Sequence, residues 1–156
     1  MIEHDFQKDS GIGRDGEVLF SEYLTSRGIL FEYVGEDIRF QPYDIDFVVH
    51  REGKPVLVEV KNDTKISYTG NIFYESVSNV DYGTVGCFEK TRAEWIVICA
   101  EPERRFYIVR SEFLRDYVAK NKDNLKYISR VAGSNSAGYL IPLSEIIDEV
   151  TIVPFA

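Results

Sequence analysis

Alternating apolar and polar positions predict two paired strands in the first third of the chain. Residues 43–50 and 56–61 are both rich in β-branched and aromatic side chains, which favour strands. The connecting residues 51–54 include a glycine, which is typical of a hairpin. Because side chains alternate between the two faces of a strand, Glu59 and Lys61 share one face and the valines of the second strand share the other.

Other patterns predict helices and further strands around this hairpin. Residues 17–27 carry apolar pairs four positions apart and end before Gly28, which predicts a helix. Residues 94–100 form a continuous apolar run, typical of a strand covered on both faces. Further patterns predict strands at 29–33, 106–109 and 139–141, a helix capped by Ser111, and a short helix at 144–150. This order favours an α/β fold, or an α+β fold with a mixed sheet.

Length and composition predict one folded domain over residues 1–156, with residues 1–15 as a flexible lead-in. Hydrophobic residues make up 44% of the chain and charged residues 28%, which excludes wholesale disorder. No stretch approaches the roughly 20 apolar residues that span a bilayer, and the N-terminal residues lack the apolar core of a secretory signal. Two cysteines, Cys87 and Cys99, cannot build a disulfide framework. We therefore expect a cytoplasmic protein without a membrane partner.

The charge of the chain is unevenly distributed. The formal net charge is −8, and a uniformly acidic surface would repel a phosphate backbone. Residues 101–130, however, carry 8 basic and 5 acidic side chains. This basic segment could face a polyanion, or it could be a solvated helix face and loop, which is the interpretation we favour.

The hairpin brings acidic residues of its two strands together. If His50 pairs with Pro55, Asp46 stands opposite Glu59, and Asp44 stands opposite Lys61. Like charges that face each other directly are destabilising, and burial makes the conflict worse. A divalent cation removes the conflict, because hard cations such as Mg²⁺ bind carboxylate oxygens.

Two further side chains extend this acidic pair. Glu17 shares a helix face with Phe20 and Leu24, so it is predicted to point towards the core, where a carboxylate needs a partner. Lys61 places a positive donor beside Glu59, where it could orient a water or stabilise charge on phosphorus. A Glu-x-Lys sequence on its own is usually a surface ion pair, so the prediction depends on the whole set.

The order of these residues resembles a known family. Glu17 in a first helix, Asp46 in one strand and Glu59-Val60-Lys61 in the next resemble the PD-(D/E)XK nuclease superfamily. Asp-Ile-Asp-Phe-Val-Val followed by Val-Leu-Val-Glu-Val-Lys is similar to its Holliday-junction-resolvase-like branch. Residues 69–75, 90–95 and 134–142 resemble small phage or prophage nucleases, and the resemblance covers most of the chain.

The resemblance implies a restriction-endonuclease-like core, with a mixed β-sheet flanked by helices, and hydrolysis of DNA dependent on Mg²⁺ or Mn²⁺. It implies that Asp46, Glu59 and Glu17 bind the metal and that Lys61 assists the attacking water. It also allows a homodimer, since resolvases cut two strands, and a phage-encoded protein in a bacterial host.

One departure from the family concerns the first aspartate. The usual Pro-Asp pair is absent, because Pro42 precedes Asp44 by two residues and Ile45 precedes Asp46. Either aspartate could be the ligand. The spacing favours Asp46, which leaves Asp44 as an outer residue or a partner of Lys61.

The segment just after the hairpin offers possible substrate contacts. Thr69, Asn71 and Glu75 could hold a phosphate or extend the metal shell. The same residues could instead form a turn that leads into a strand, with Glu75 as a surface acid.

Two other functions compete with the nuclease. The net charge of −8 favours a catalytically inactive protein that kept the nuclease fold and binds nucleic acid or acts as an adaptor. The third candidate is a structural protein whose acidic strand faces are solvated.

Overall fold

The computed structural model describes residues 16–156, and the predicted lead-in at 1–15 lies outside the described residues. Strands and short helices follow one another along the whole described chain. The helices are α1 (Gly16–Ser26), α2 (Ile66–Thr69), α3 (Cys87–Lys90), α4 (Ser111–Asn121) and α5 (Leu143–Ile146). The strands are β1 (Phe31–Tyr33), β2 (Phe47–Arg51), β3 (Lys54–Asn62), β4 (Asn71–Asn79), β5 (Thr84–Val85), β6 (Trp95–Ala100), β7 (Arg105–Arg110), β8 (Lys126–Ile128), β9 (Ala137–Pro142) and β10 (Thr151–Pro154).

The strands form two sheets. The larger sheet has six strands in the order β1-β2-β3-β6-β7-β10, in which β3 and β6 run parallel and the other neighbours run antiparallel. The smaller sheet has the order β5-β4-β9-β8 and is antiparallel throughout. The α/β fold with a mixed sheet flanked by helices is thereby confirmed. The smaller sheet was predicted only in part, through β9 and, as one alternative for residues 69–75, through the start of β4.

The predicted hairpin register is confirmed. His50 pairs with Pro55, and Phe47 pairs with Val58. The connection is tighter than predicted, because only Glu52 and Gly53 lie between the two strands. Both have positive φ, 52° and 76°, as a two-residue turn matching the twist of the strands requires.

The two faces of the larger sheet are covered differently. On one face, Val58 and Val60 of β3 pack against Leu19, Phe20 and Leu24 of α1. On the other face, side chains of β6 and β7 pack with α4 and with the smaller sheet. Strand β6 is buried from Ile96 to Ala100, which confirms the prediction of a strand covered on both faces. No helix among residues 16–156 is long and apolar enough to cross a membrane.

Three sequence predictions differ from the structure. Strand β2 begins at Phe47, because Gln41–Tyr43 forms a 3₁₀ turn that ends with Asp44 at φ 50°. Ser111 is the first residue of α4 and does not cap it, since its hydroxyl donates to the Ala93 carbonyl instead. The last predicted helix is divided into α5 and the 3₁₀ turn Ile147–Glu149.

A close backbone approach in the smaller sheet requires a glycine. Gly138 of β9 pairs with Glu75 of β4, where a bulge shifts the register before Val77. A Cβ at position 138 would lie 1.9 Å from the Tyr74 carbonyl oxygen. Backbone atoms cannot move aside as a flexible side chain does, so only glycine fits at this point.

We expect Gly138→Ala to lower the free energy of unfolding by about 2 kcal/mol or more, because the added methyl group forces β4 and β9 apart. Urea denaturation followed by circular dichroism measures this change. Lys126→Ala, on the neighbouring strand and exposed, serves as the control and should change stability by less than about 0.5 kcal/mol. Equal stability of the Gly138 variant and the wild type would contradict the prediction.

Candidate active site

Asp46 is attached to β3 through both its backbone and its side chain. Its N–H donates to the Val58 carbonyl oxygen at 2.9 Å, and its Oδ2 accepts from the Val60 N–H at 2.8 Å. These two bonds straddle Glu59 and continue the register of the hairpin beyond the end of β2. Asp46 therefore lies beside Glu59, as the sequence predicted.

Glu59 is a buried carboxylate with one oxygen unsatisfied. Its side chain projects from the middle of β3, and the residue is 3% exposed. Oε1 lies 3.1 Å from the Lys61 Nζ. Oε2 is buried and has no hydrogen-bond partner of good geometry among residues 16–156. The Thr91 hydroxyl donates to the Asp44 carbonyl oxygen, but it lies close enough to Glu59 to lower the pKa of this carboxyl. An unsatisfied atom such as Oε2 in a native site points to a ligand, an ion or a water at that position.

The acidic pair is held at an electrostatic cost. Burial raises the pKa of Glu59 to about 7, although the Lys61 ammonium opposes this rise. Burial also raises the pKa of Asp46, and the negative charge of Glu59 adds to the effect, while the Val60 N–H opposes it. The two carboxylates thus disfavour each other's charge, as the hairpin register predicted.

Glu17 approaches Asp46 from α1, the helix that packs on the Val58 and Val60 face of the larger sheet. It is half-buried in the first turn of α1 and lies within hydrogen-bonding range of Asp46. The Tyr33 hydroxyl donates to Glu17 Oε2 at 2.6 Å. Burial and the neighbouring Glu17 raise the pKa of Tyr33, so it remains a donor. Sequence reasoning identified Glu17 but missed Tyr33, whose only signal was its place in a short strand.

Lys61 completes the set on the same face of β3 as Glu59. Burial disfavours its charge, but the Glu59 carboxylate raises the pKa of Lys61, so it stays an ammonium at neutral pH. Burial raises the pKa of Cys87 to about 12. The Cys87 thiol is therefore neutral and fills space beside Lys61. No motif in the sequence marked Cys87 as a neighbour of Lys61.

Asp44 does not pair with Lys61, which corrects one sequence prediction. Its left-handed backbone takes it out of strand β2, and its carboxylate lies 3.8 Å from the Lys90 Nζ. Its carbonyl oxygen accepts from the Thr91 hydroxyl at 2.8 Å. Asp44 still adds negative charge near Glu59. Of the two aspartates, Asp46 is the one attached to β3.

The donor set suits a small, hard cation held by few protein ligands. Across residues 16–156, no three His, Cys, Asp or Glu side chains form a preassembled metal site. Mg²⁺ usually takes one or two carboxylates and completes its shell with waters and substrate phosphates. Asp46 and the unsatisfied Oε2 of Glu59 fit that requirement, and Glu17 stands behind Asp46.

A cleft of about 500 Å³ opens beside Lys61, between β3 and the smaller sheet. Thr69, Asn71 and Glu75 all line this cleft together with Lys61. The turn and strand predicted as the alternative are also present, because Thr69 ends α2 and Asn71 begins β4. The segment 69–75 is thus both a turn entering a strand and part of the wall of the cleft.

Comparison with known proteins adds no relative. No protein-family model matches the chain, and no curated protein matches its sequence. The resemblance to PD-(D/E)XK nucleases therefore depends on the residues of the chain itself.

The raised pKa of Glu59 predicts how stability varies with pH. Below about pH 4.5, the ordinary value for glutamate, the proton on Glu59 stabilises the fold fully, and this contribution is lost as the pH rises through about 7. We expect Glu59→Gln, measured in EDTA, to be about as stable as the wild type at pH 4.5. At pH 8 it should be more stable by roughly 3 kcal/mol.

Urea denaturation at the two pH values checks this expectation. Glu52→Gln, in the exposed hairpin turn, is the control and should show no such difference between pH 4.5 and pH 8. If the free energy of unfolding of Glu59→Gln instead falls relative to that of the wild type as the pH rises, the pKa of Glu59 is not raised in the folded protein.

Proposed function

We propose that this protein is a metal-dependent DNA endonuclease of the PD-(D/E)XK type. The observation that carries the proposal is Glu59, which is buried with Oε2 unpaired, next to Asp46 and 3.1 Å from the Lys61 ammonium. Two carboxylates and a lysine grouped in this way, beside a cleft, are suited to hydrolysis of a phosphodiester.

Asp46 and Glu59 would hold a Mg²⁺ or Mn²⁺ ion, with Glu17 completing the acidic set from α1. The bound ion would supply Lewis acidity towards a phosphate oxygen and would lower the pKa of a coordinated water. Its charge would also offset part of the net charge of −8, which otherwise opposes DNA binding.

Lys61 acts as a positive donor in this proposal and not as a base, because its pKa is raised. Its ammonium orients the attacking water or stabilises the charge that develops on the phosphate oxygens. The water oxygen forms a bond to phosphorus, and a P–O ester bond breaks. The water proton passes to solvent, and the leaving oxygen takes up a proton to become a hydroxyl.

The second candidate function is that of a protein with the nuclease fold and no catalytic activity. The lack of a preassembled three-ligand group in residues 16–156, together with the acidic net charge, favours a nucleic-acid-binding or adaptor protein that has lost activity. Metal binding and strand cleavage separate the two functions.

The two aspartates provide a matched test of metal binding. We expect Asp46→Asn to weaken Mn²⁺ binding by at least about 100-fold, because it removes a ligand charge at the pair. Asp44→Asn should change it only a few-fold, since Asp44 is engaged with Lys90. Isothermal titration calorimetry of Mn²⁺ into each variant and the wild type measures the dissociation constants. Equal losses in both variants, or no Mn²⁺ binding by the wild type, would contradict the assignment.

Cleavage of DNA tests the activity itself. We expect the wild type to nick or cut at least one of plasmid, branched and single-stranded DNA in Mg²⁺ or Mn²⁺. Glu59→Gln and Lys61→Ala should each lower the rate by at least about 100-fold, because the first removes the charge of a metal ligand and the second removes the ammonium beside the reacting phosphate. Lys54→Ala carries the same charge change at the exposed start of β3 and should cut at the rate of the wild type. Wild-type cleavage no greater than that of Glu59→Gln would refute the proposal.

A further inference from the structure

We infer that the cleft beside Lys61 binds an unpaired nucleotide, so that the DNA substrate contains a single-stranded stretch next to the scissile phosphate. This inference rests on the proposed function, because it places the phosphate at Lys61. The cleft and the site share that residue, whose Nζ faces Glu59 while its side chain also lines the cleft.

One strand supplies an alternating face to the cleft. Asn71, Phe73 and Glu75 line the cleft, while the intervening Ile72 and Tyr74 are buried in the core. The buried neighbours fix the orientation of the three cleft residues. The cleft wall is therefore built on a packed strand and is present before any ligand arrives.

The floor of the cleft is apolar and aromatic. Phe73 pairs with Leu140 across β4 and β9, and both line the cleft with Phe88, Ile98 and Ile128. A nucleobase has apolar faces, and an aromatic side chain gives it a surface for stacking. A cleft of about 500 Å³ has the volume of an ordinary small-ligand pocket. A pocket of this volume takes a group the size of a small ligand, such as one nucleotide, and not a segment of double helix.

The rim of the cleft carries both hydroxyl and amide side chains. Thr69, Asn71, Ser134 and Ser136 add hydroxyl and amide groups around the apolar floor. An amide side chain both donates and accepts, and can pair with the edge of a base that is no longer paired with its complement. An apolar floor with such a rim suits a base better than it suits a free phosphate.

Three basic and two acidic side chains line the cleft, the acidic ones being Asp63 and Glu75, so the cleft is less acidic than the molecule as a whole. The basic ones are Lys61, Lys65 and Arg130. Arg130 is held there by Asp81 at 2.8 Å and by Asn135 Oδ1 at 2.7 Å. Asp63 also lines the cleft, but its Oδ1 accepts the backbone N–H groups of Lys65 and Ile66. Three cations in one place can contact a few phosphates of one strand, whereas a duplex-binding face needs a longer basic surface.

Binding experiments with labelled oligonucleotides test the inference. Fluorescence anisotropy in EDTA compares a single strand of about 12 nucleotides, within the usual range for single-strand sites, with the same sequence fully paired. The proteins are the wild type, Phe73→Leu, Asn71→Ala, Lys65→Ala and Lys54→Ala. Phe73→Leu keeps an apolar side chain and removes the stacking face, and thermal unfolding confirms that each variant is folded.

We expect the wild type to bind the single strand at least about tenfold more tightly than the duplex. Phe73→Leu and Asn71→Ala should each weaken single-strand binding by about tenfold, as expected for a lost stack or a lost base contact. Lys65→Ala should weaken it a few-fold, and Lys54→Ala, with the same charge change outside the cleft, should have no effect. Equal affinity for single strand and duplex, or unaltered binding by both the Phe73 and the Asn71 variants, would overturn the inference.

Cleavage of the same oligonucleotides in Mn²⁺ separates this inference from the proposed function. Equal cleavage of duplex and single strand, unaffected by Phe73→Leu and Asn71→Ala, would support the endonuclease and overturn the role of the cleft. Selective single-strand binding through the cleft, with no cleavage above that of Glu59→Gln, would support the cleft ligand and overturn the endonuclease.

Discussion

The candidate site depends on the two hydrogen bonds that join Asp46 to β3. They hold the residue just before β2 in the register that the hairpin sets, on either side of Glu59. Without them Asp46 would follow the loop that carries Asp44, whose left-handed backbone turns away from β3. The added rise in the pKa of Asp46 follows from this fixed neighbourhood of two carboxylates, and so does the grouping of Asp46 with Glu59 and Lys61.

The buried pair of carboxylates lowers the stability of the fold, and in the proposed function it binds the metal ion. Burial raises the pKa of both Asp46 and Glu59, the charge of Glu59 raises the pKa of Asp46 further, and the charge of Asp44 raises that of Glu59. A protein selected only for stability would place amides or apolar residues there. The surrounding fold supports the unfavourable pair with a buried Val58 and Val60 layer, the packed helix α1 and the Tyr33 hydroxyl on Glu17. Local rules broken in this way are typical of functional sites.

The two sheets contribute different parts of the proposed activity. The larger sheet aligns the charged groups, since β2 is paired along its whole length with residues 54–58 of β3, and residues 58–62 of β3 pair with β6. The smaller sheet builds the cleft, through the alternation of Asn71, Phe73 and Glu75 along β4. Lys61 belongs to both regions. A reacting phosphate and the base attached to it could therefore be held by two separate, rigid surfaces.

The sequence alone determined the hairpin, its register and the grouping of Asp46, Glu59 and Lys61, because the two-residue period of a strand and a short turn leave little freedom over so short a distance. It also identified Glu17, since a charged residue on the apolar stripe of a helix must meet a partner in the core. Only the tertiary structure decided the position of Asp44, because a left-handed residue ends the alternation on which the prediction relied. Tyr33, Cys87 and the cleft likewise depended on contacts between segments far apart in the chain, and no local pattern encodes such contacts.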